Sequence, residues 1–162
     1  MANEFMEKMQ EDDRRTKKNV PDADMSVLEF ITDLTCCAAV CEDQYEIVRS
    51  TFRAGYCYYF AHLLKQAFNR GKVCLAAPFG HFVWVDENGV AYDVEGVNFG
   101  EQIYNIPESY MSENMIKEFK HIPGEKIKAT TGAEIIEMIR KYEDDKGLPH
   151  QDLSYYHLED NQ

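Results

Sequence analysis

Residues 54–97 read AGYCYYFAHLLKQAFNRGKVCLAAPFGHFVWVDENGVAYDVEGV, and this stretch decides the fold. Cys57, Phe60, Ala61, Leu64, Ala67 and Phe68 recur at spacings of three, four and one, the apolar stripe of an amphipathic helix. Lys65, Gln66, Asn69 and Arg70 are polar positions toward its far end, and Gly71 is the expected left-handed stop. KVCLAA, residues 72–77, suits a strand. Pro78, Phe79 and Gly80 interrupt it, and residues 81–86 and 90–95 form the two arms of a hairpin across Glu87, Asn88 and Gly89. Helix, strand and hairpin in this order predict an α+β fold: a central helix with a cysteine at its N-terminus, packed on a small antiparallel sheet and flanked by further helices.

Working outward, Ser26 with Glu29 three residues later forms the pattern of a capping box. It predicts a helix from Val27 to Cys41 whose core side holds Val27, Leu28, Ile31, Leu34, Thr35, Ala38 and Cys41. Asp43 is placed to cap a second helix through Phe52, with Tyr45, Ile47 and Val48 as its apolar side. Downstream, residues 98–105 hold one more short strand that includes Ile103 and Tyr104. Ser112 caps a helix to Lys120, and Thr131 with Glu134 is a second capping box, for a helix through Tyr142. Residues 1–20 balance five acids against five bases with little to bury, and are expected to be a mobile arm. Residues 21–145 are then one domain, and 146–162 an acidic tail in which Leu153, Tyr155, Tyr156 and Leu158 are the residues able to dock.

The whole chain has 162 residues, of which 44% are hydrophobic and 28% charged, the balance of a globular protein with a core of its own. Lysine and arginine number 17 against 29 acids, for a net charge of −12. A surface of that sign repels a phosphate backbone, so nucleic acid is not an expected partner. No apolar run approaches the roughly 18 to 20 residues needed to cross a bilayer, and the N-terminus lacks an apolar export segment. These features point to no membrane association and a cytoplasmic location. Five cysteines are an odd number, and Cys36, Cys37 and Cys41 crowd one helix, a poor disulfide framework that suits a reducing compartment. Without CxxC or HxxxH pairs, neither a metal site nor a cofactor is expected.

A thiol needs help to become the thiolate that attacks, and a helix N-terminus and a nearby imidazole both supply it. Cys57 stands at such an N-terminus, His81 opens the hairpin, and Asp93 on the return arm is the candidate acid that orients the imidazole. The register decides whether the three can meet. A two-residue Asn88-Gly89 turn puts Asp93 on the face opposite His81. A three-residue Glu87-Asn88-Gly89 loop, with Gly89 in the left-handed position of a bulge, puts His81, Val83, Asp93 and Glu95 on one face. Asp93 is then a diagonal neighbour of His81 and Glu95, directly across, is the fallback acid. The Cys57 N–H can serve an oxyanion, with Tyr56 and Gln44 as supporting candidates. Taken singly each residue has an ordinary explanation: the cysteine as core, the histidine as a half-buried strand residue, Asp93 as a residue closing a turn. His62, His121, His150 and His157 are surface residues by default.

GYCYYFAHLLKQAF followed by GHFVWVDENGVAYDVEG resembles the papain-like superfamily in its unpermuted order, most of all its transglutaminase-like and bacterial or phage branches. The resemblance covers residues 54–97. It implies Cys57 as nucleophile, His81 as base and Asp93 as orienting acid, and a peptide or protein amide as substrate. Two departures stand out: the chain between Cys57 and His81 is short, and no glutamine lies just before Cys57. The function expected is that of a cysteine-dependent amide-bond enzyme, a peptidase, amidase or acyl transferase working through a thioester. The alternatives are a catalytically silent binding or adaptor domain and, more remotely, a cysteine-metal protein.

Overall fold

The hairpin closes through the longer loop. In the computed structural model, which describes residues 2–37, 42–53, 55–120 and 130–158, β2 (His81–Val85) pairs with β3 (Ala91–Asp93) through Trp84 opposite Tyr92 and Val85 opposite Ala91. The Asp86 N–H continues the ladder to the Val90 carbonyl at 3.0 Å, which leaves Glu87, Asn88 and Gly89 as the loop. Gly89 takes φ 79°. Asp86 organises the turn: its Oδ1 accepts the N–H groups of Asn88 and Val90 at 2.9 and 3.0 Å, and its Oδ2 accepts the Tyr92 hydroxyl at 3.2 Å.

The chain then repeats the device. Asp93 Oδ1 accepts the Glu95 N–H at 2.8 Å, and Gly96 takes φ 98°. Asp-Glu-Asn-Gly at 86–89 and Asp-Val-Glu-Gly at 93–96 share one grammar: an aspartate that accepts the N–H two residues on, then a glycine at positive φ. The second turn sends β4 (Gly96–Val97) back along β3, with Asp93 opposite Gly96 and Tyr92 opposite Val97. In consequence β3 stops at Asp93.

The sheet is antiparallel with strand order β4-β3-β2-β1-β5, where β1 is Lys72–Ala77 and β5 is Tyr104–Pro107. A cis Ala77–Pro78 peptide lies in the connection from β1 to β2. Against the sheet pack α4 (Cys57–Phe68) and α2 (Met25–Cys37), burying Val27, Leu28, Ile31, Phe60 and Leu64 with Leu75, Phe82, Trp84, Tyr92 and Ile106. The Phe82 and Tyr58 rings meet edge to face at 4.9 Å, and Phe68 stacks on Trp84 at 5.5 Å. Each large side chain buried here contributes roughly 1.5–3 kcal/mol. The remaining helices are α1 (Ala2–Asn19), α3 (Glu42–Arg53), α5 (Glu113–Phe119) and α6 (Gly132–Lys146). No helix among the described residues is long and apolar enough to cross a membrane.

Some local readings change. Residues 2–19, expected as an arm with little to bury, form a helix docked on α2: the Thr32 hydroxyl donates to buried Asp13 at 2.6 Å, and Phe5 meets Tyr45 at 4.5 Å. Asp24, not Ser26, organises the start of α2, its Oδ1 accepting both the N–H and the hydroxyl of Ser26. Asn69, at φ 51°, is the left-handed stop of α4, and Ala67 is exposed. Gly71 serves close approach instead: a Cβ there would stand 2.5 Å from the Val85 oxygen and 2.7 Å from Trp84 Nε1. The caps at Ser112 and at Thr131 with Glu134 form as expected. Residues 147–158 dock, with Leu153 and Leu158 buried and the Gln151 N–H held by buried Glu143 at 2.7 Å. Ala38, Cys41 and His121 lie outside the described residues.

Candidate active site

The early end of β3 makes room for the cysteine. Even-numbered N–H groups of β2 point toward β3, as the Asp86 to Val90 bond shows. Phe82 would therefore look for a carbonyl at position 94, where the chain has already left the strand for the turn. Its N–H donates instead to Cys57 Sγ at 3.5 Å. The N-terminus of α4 thus enters the sheet at the start of β2. The helix dipole there favours negative charge on the sulfur, and the nearby Tyr58 N–H favours it as well.

His81 joins the sulfur to the acid. Its Nε2 lies 2.9 Å from Asp93 Oδ2, and the Cys57 sulfur sits against the backbone on either side of it, 4.0 Å from the Gly80 carbonyl oxygen and 3.5 Å from the Phe82 nitrogen, near enough for the imidazole to favour the thiolate. With Nε2 engaged by the carboxylate, Nδ1 is the nitrogen left for the thiol. Asp93 is buried, Cys57 is 6% exposed, and the His81 side chain is 23% exposed, so the imidazole forms the solvent-facing part of the group. The bond to Asp93, then the bond to Cys57, outweigh burial and push His81 up to about 9. Burial pushes the Cys57 thiol up, but the His81 imidazole, the Phe82 N–H, the charge on His81 and the Tyr58 N–H overcome it, and the thiol sits below its ordinary value. The opposed shifts favour a thiolate facing an imidazolium. Cys74, by contrast, is pushed up to about 12 by burial.

The chain belongs to the Phage YunG-like family. The family model, described as Phage YunG-like protein, matches residues 34–130, more than half of the 162 positions, and spans Cys57, His81 and Asp93. No curated protein and no solved structure matches the chain.

Not every residue singled out in this YunG-like sequence meets the thiol. Glu95 does not stand across from His81, because the turn carries it away; its Oε1 accepts from Arg49 Nη2 at 2.8 Å and Arg53 Nη1 at 2.9 Å. Tyr56 is exposed, its ring beside that of Tyr59, and its N–H donates to the Thr51 carbonyl at 3.3 Å, so its backbone is not open to an oxyanion. Gln44 is exposed in the first turn of α3. The Cys57 N–H begins α4, where the first amides have no intrahelical acceptor. His62 is not a bare surface residue: it is half-buried, 3.0 Å from Glu108 and beside the Tyr58 ring. Tyr58 is buried, and burial followed by the Glu108 charge raises its pKa.

Two contributions were not read from the sequence, the Phe82 N–H and the arginines on Glu95. The repeated Asp-x-x-Gly pattern was the available signal for the first, since it ends β3 early. Nothing in the sequence announced the second. Among the described residues no group of three or more His, Cys, Asp or Glu is placed to hold a metal ion.

Proposed function

We propose that this YunG-like protein is a cysteine-dependent acyl-transfer enzyme acting on amide bonds of a peptide or protein, with Cys57 as nucleophile, His81 as general base and acid, and Asp93 as the orienting acid. One observation carries the reading: a single imidazole, 2.9 Å from a buried carboxylate, stands in the strand between Gly80 and Phe82, the two residues against which the helix-terminal thiol of Cys57 rests. The order of the three residues and the packing of their helix on an antiparallel sheet are those that the papain-like resemblance leads one to expect.

In this mechanism the Cys57 thiolate attacks the carbonyl carbon, and the developing oxyanion is met by the Cys57 N–H. The His81 imidazolium gives its proton to the departing amine as the tetrahedral intermediate collapses to a thioester. Water or a second amine, deprotonated by the now neutral His81, attacks the thioester and releases Cys57. The Asp93 carboxyl group holds Nε2, which leaves Nδ1 to move the proton.

The low exposure of Cys57, at 6%, favours a second reading in which the domain binds a partner without turnover. Acylation with p-nitrophenyl acetate separates the two. The enzyme reading expects a burst of about one equivalent of p-nitrophenol and an acetyl group mapped by mass spectrometry to Cys57. Cys57→Ser removes the adduct, and His81→Ala slows its formation by tenfold or more. Acetylation of Cys57 no faster than that of glutathione at the same pH would leave the binding domain as the better account.

A further inference from the structure

The carboxylate of Glu95 does not face the imidazole, yet the residue is tied to Asp93 through its backbone. The Glu95 N–H occupies Asp93 Oδ1 at 2.8 Å, which turns the other oxygen, Oδ2, toward His81. The direction of the orienting acid thus depends on where the turn at residues 94 and 95 sits. Gly96 rests near Leu28 of α2, but behind the turn lies a cavity of about 110 Å³ bordered by Thr32, Tyr45, Arg49 and Val94. Packing alone does not fill that side. What reaches across is a pair of arginines from α3, both bonded to the same oxygen of Glu95. Arg49 is itself steadied by the Tyr45 ring at 5.2 Å and by Glu46 at 3.2 Å.

Such half-exposed ion pairs contribute little to stability, typically about 0–1 kcal/mol. Their geometry matters more, because they join the helix preceding the nucleophile to the turn that presents the acid. We propose that Glu95, Arg49 and Arg53 are positioning residues: their ion pairs fix the turn at residues 94 and 95 so that its N–H locks Asp93 in the orientation that holds His81 against Cys57. This rests on the acyl-transfer reading of the site. It also explains why Glu95 stands beside the site without touching the reacting groups.

The test is the pH profile of Cys57 alkylation by iodoacetamide between pH 5 and 9.5, measured by peptide mass spectrometry. The proteins are the wild type, Glu95→Ala, Glu95→Gln and the double variant Arg49→Met with Arg53→Met. At pH 6 the rate in Glu95→Ala and in the double variant should fall at least threefold, with the profile moved toward higher pH. Rates at Cys57 should converge at pH 9.5, where a thiol of ordinary pKa is largely ionised. Glu95→Gln, whose amide oxygen can accept from the same arginines, should keep more than half of the wild-type rate. Should Glu95→Ala fail to fold, the arginine variants give the answer. An activated wild-type profile kept within twofold in Glu95→Ala and the double variant would overturn this inference alone. A wild-type profile already that of an ordinary thiol would overturn the reading of the site itself.

Discussion

Replacing His81 by alanine removes the largest influence that favours the thiolate, and the size of the effect follows from the contacts. The imidazole, the Phe82 N–H and the Tyr58 N–H all favour the Cys57 thiolate, and only the imidazole can also carry a full charge. A hydrogen bond to a charged group contributes about 1.5–3 kcal/mol, roughly a 10- to 150-fold change in thiolate population at a pH where the thiol is mostly protonated. Nucleophilicity moves the other way, since it falls with basicity at a Brønsted slope of about 0.4–0.5. The two together leave His81→Ala about 3- to 20-fold slower than wild type toward iodoacetamide at pH 6, where an ordinary thiol is only about 0.3% ionised. At pH 9.5 the variant should react as fast or faster, so the two profiles cross. Asp93→Asn removes the bond that raises His81 to about 9, so its deficit should be greatest between about 6.5 and 9, where the wild type keeps an imidazolium that the variant has lost. Cys74, held near 12, is the internal control and should stay unmodified throughout. A His81→Ala profile that overlays the wild type at pH 6 would refute the coupling between the imidazole and the thiol.

The remaining predictions concern the scaffold. Burial, with the charges of Glu29, Asp12 and Asp33 and against the Thr32 hydroxyl, pushes Asp13 up to about 6. Between the ordinary carboxylate value and 6 the folded chain holds a proton that the unfolded chain releases, so stability falls as pH rises through that window. Asp13→Asn should therefore stabilise by about 1–2 kcal/mol at pH 7.5 and by nothing at pH 4, since the amide can still accept from Thr32; urea melts at both values check it, and an equal gain at both would contradict the burial argument. Gly71→Ala combines a positive φ with a Cβ 2.5 Å from the Val85 oxygen and should cost about 3 kcal/mol or more, whereas Gly89→Ala, with nothing within 4 Å, should cost only the backbone strain of about 1–2 kcal/mol. Equal losses in thermal melts would show that contact at Gly71 is not what selects glycine there.

Elements whose signals are local were legible in the sequence. The stripe from Cys57 to Leu64, the strand at 72–77 and the cap at Thr131 are each encoded within a few residues, and each appears close to where its pattern placed it. Signals that depend on distant partners were not. Residues 2–19 have almost no apolar face, yet they form a helix because Thr32 satisfies Asp13 and Tyr45 receives Phe5, partners that lie on α2 and α3. Gly71 looked like a helix stop because a glycine after an apolar stripe usually is one; here it makes way for Trp84, thirteen residues on, whose indole N–H donates to the Arg70 carbonyl at 2.8 Å. His62 looked bare for a similar reason, as its partner Glu108 belongs to a turn after β5.

For the site, the sequence posed a choice between two descriptions of Asp93, a residue that closes a turn or an acid that orients a histidine. The structure makes them one. Oδ1 closes the turn by taking the Glu95 N–H, and because that oxygen is occupied the carboxylate has one direction left in which to offer Oδ2, toward His81. The same turn ends β3, which frees the Phe82 N–H for Cys57 and so brings the thiol to the imidazole. At positions 86–89 an aspartate of identical local chemistry spends its second oxygen on the Tyr92 hydroxyl and serves only the fold. What separates the two aspartates is the residue that faces the spare oxygen, a tyrosine hydroxyl in one turn and an imidazole bonded to a cysteine in the other.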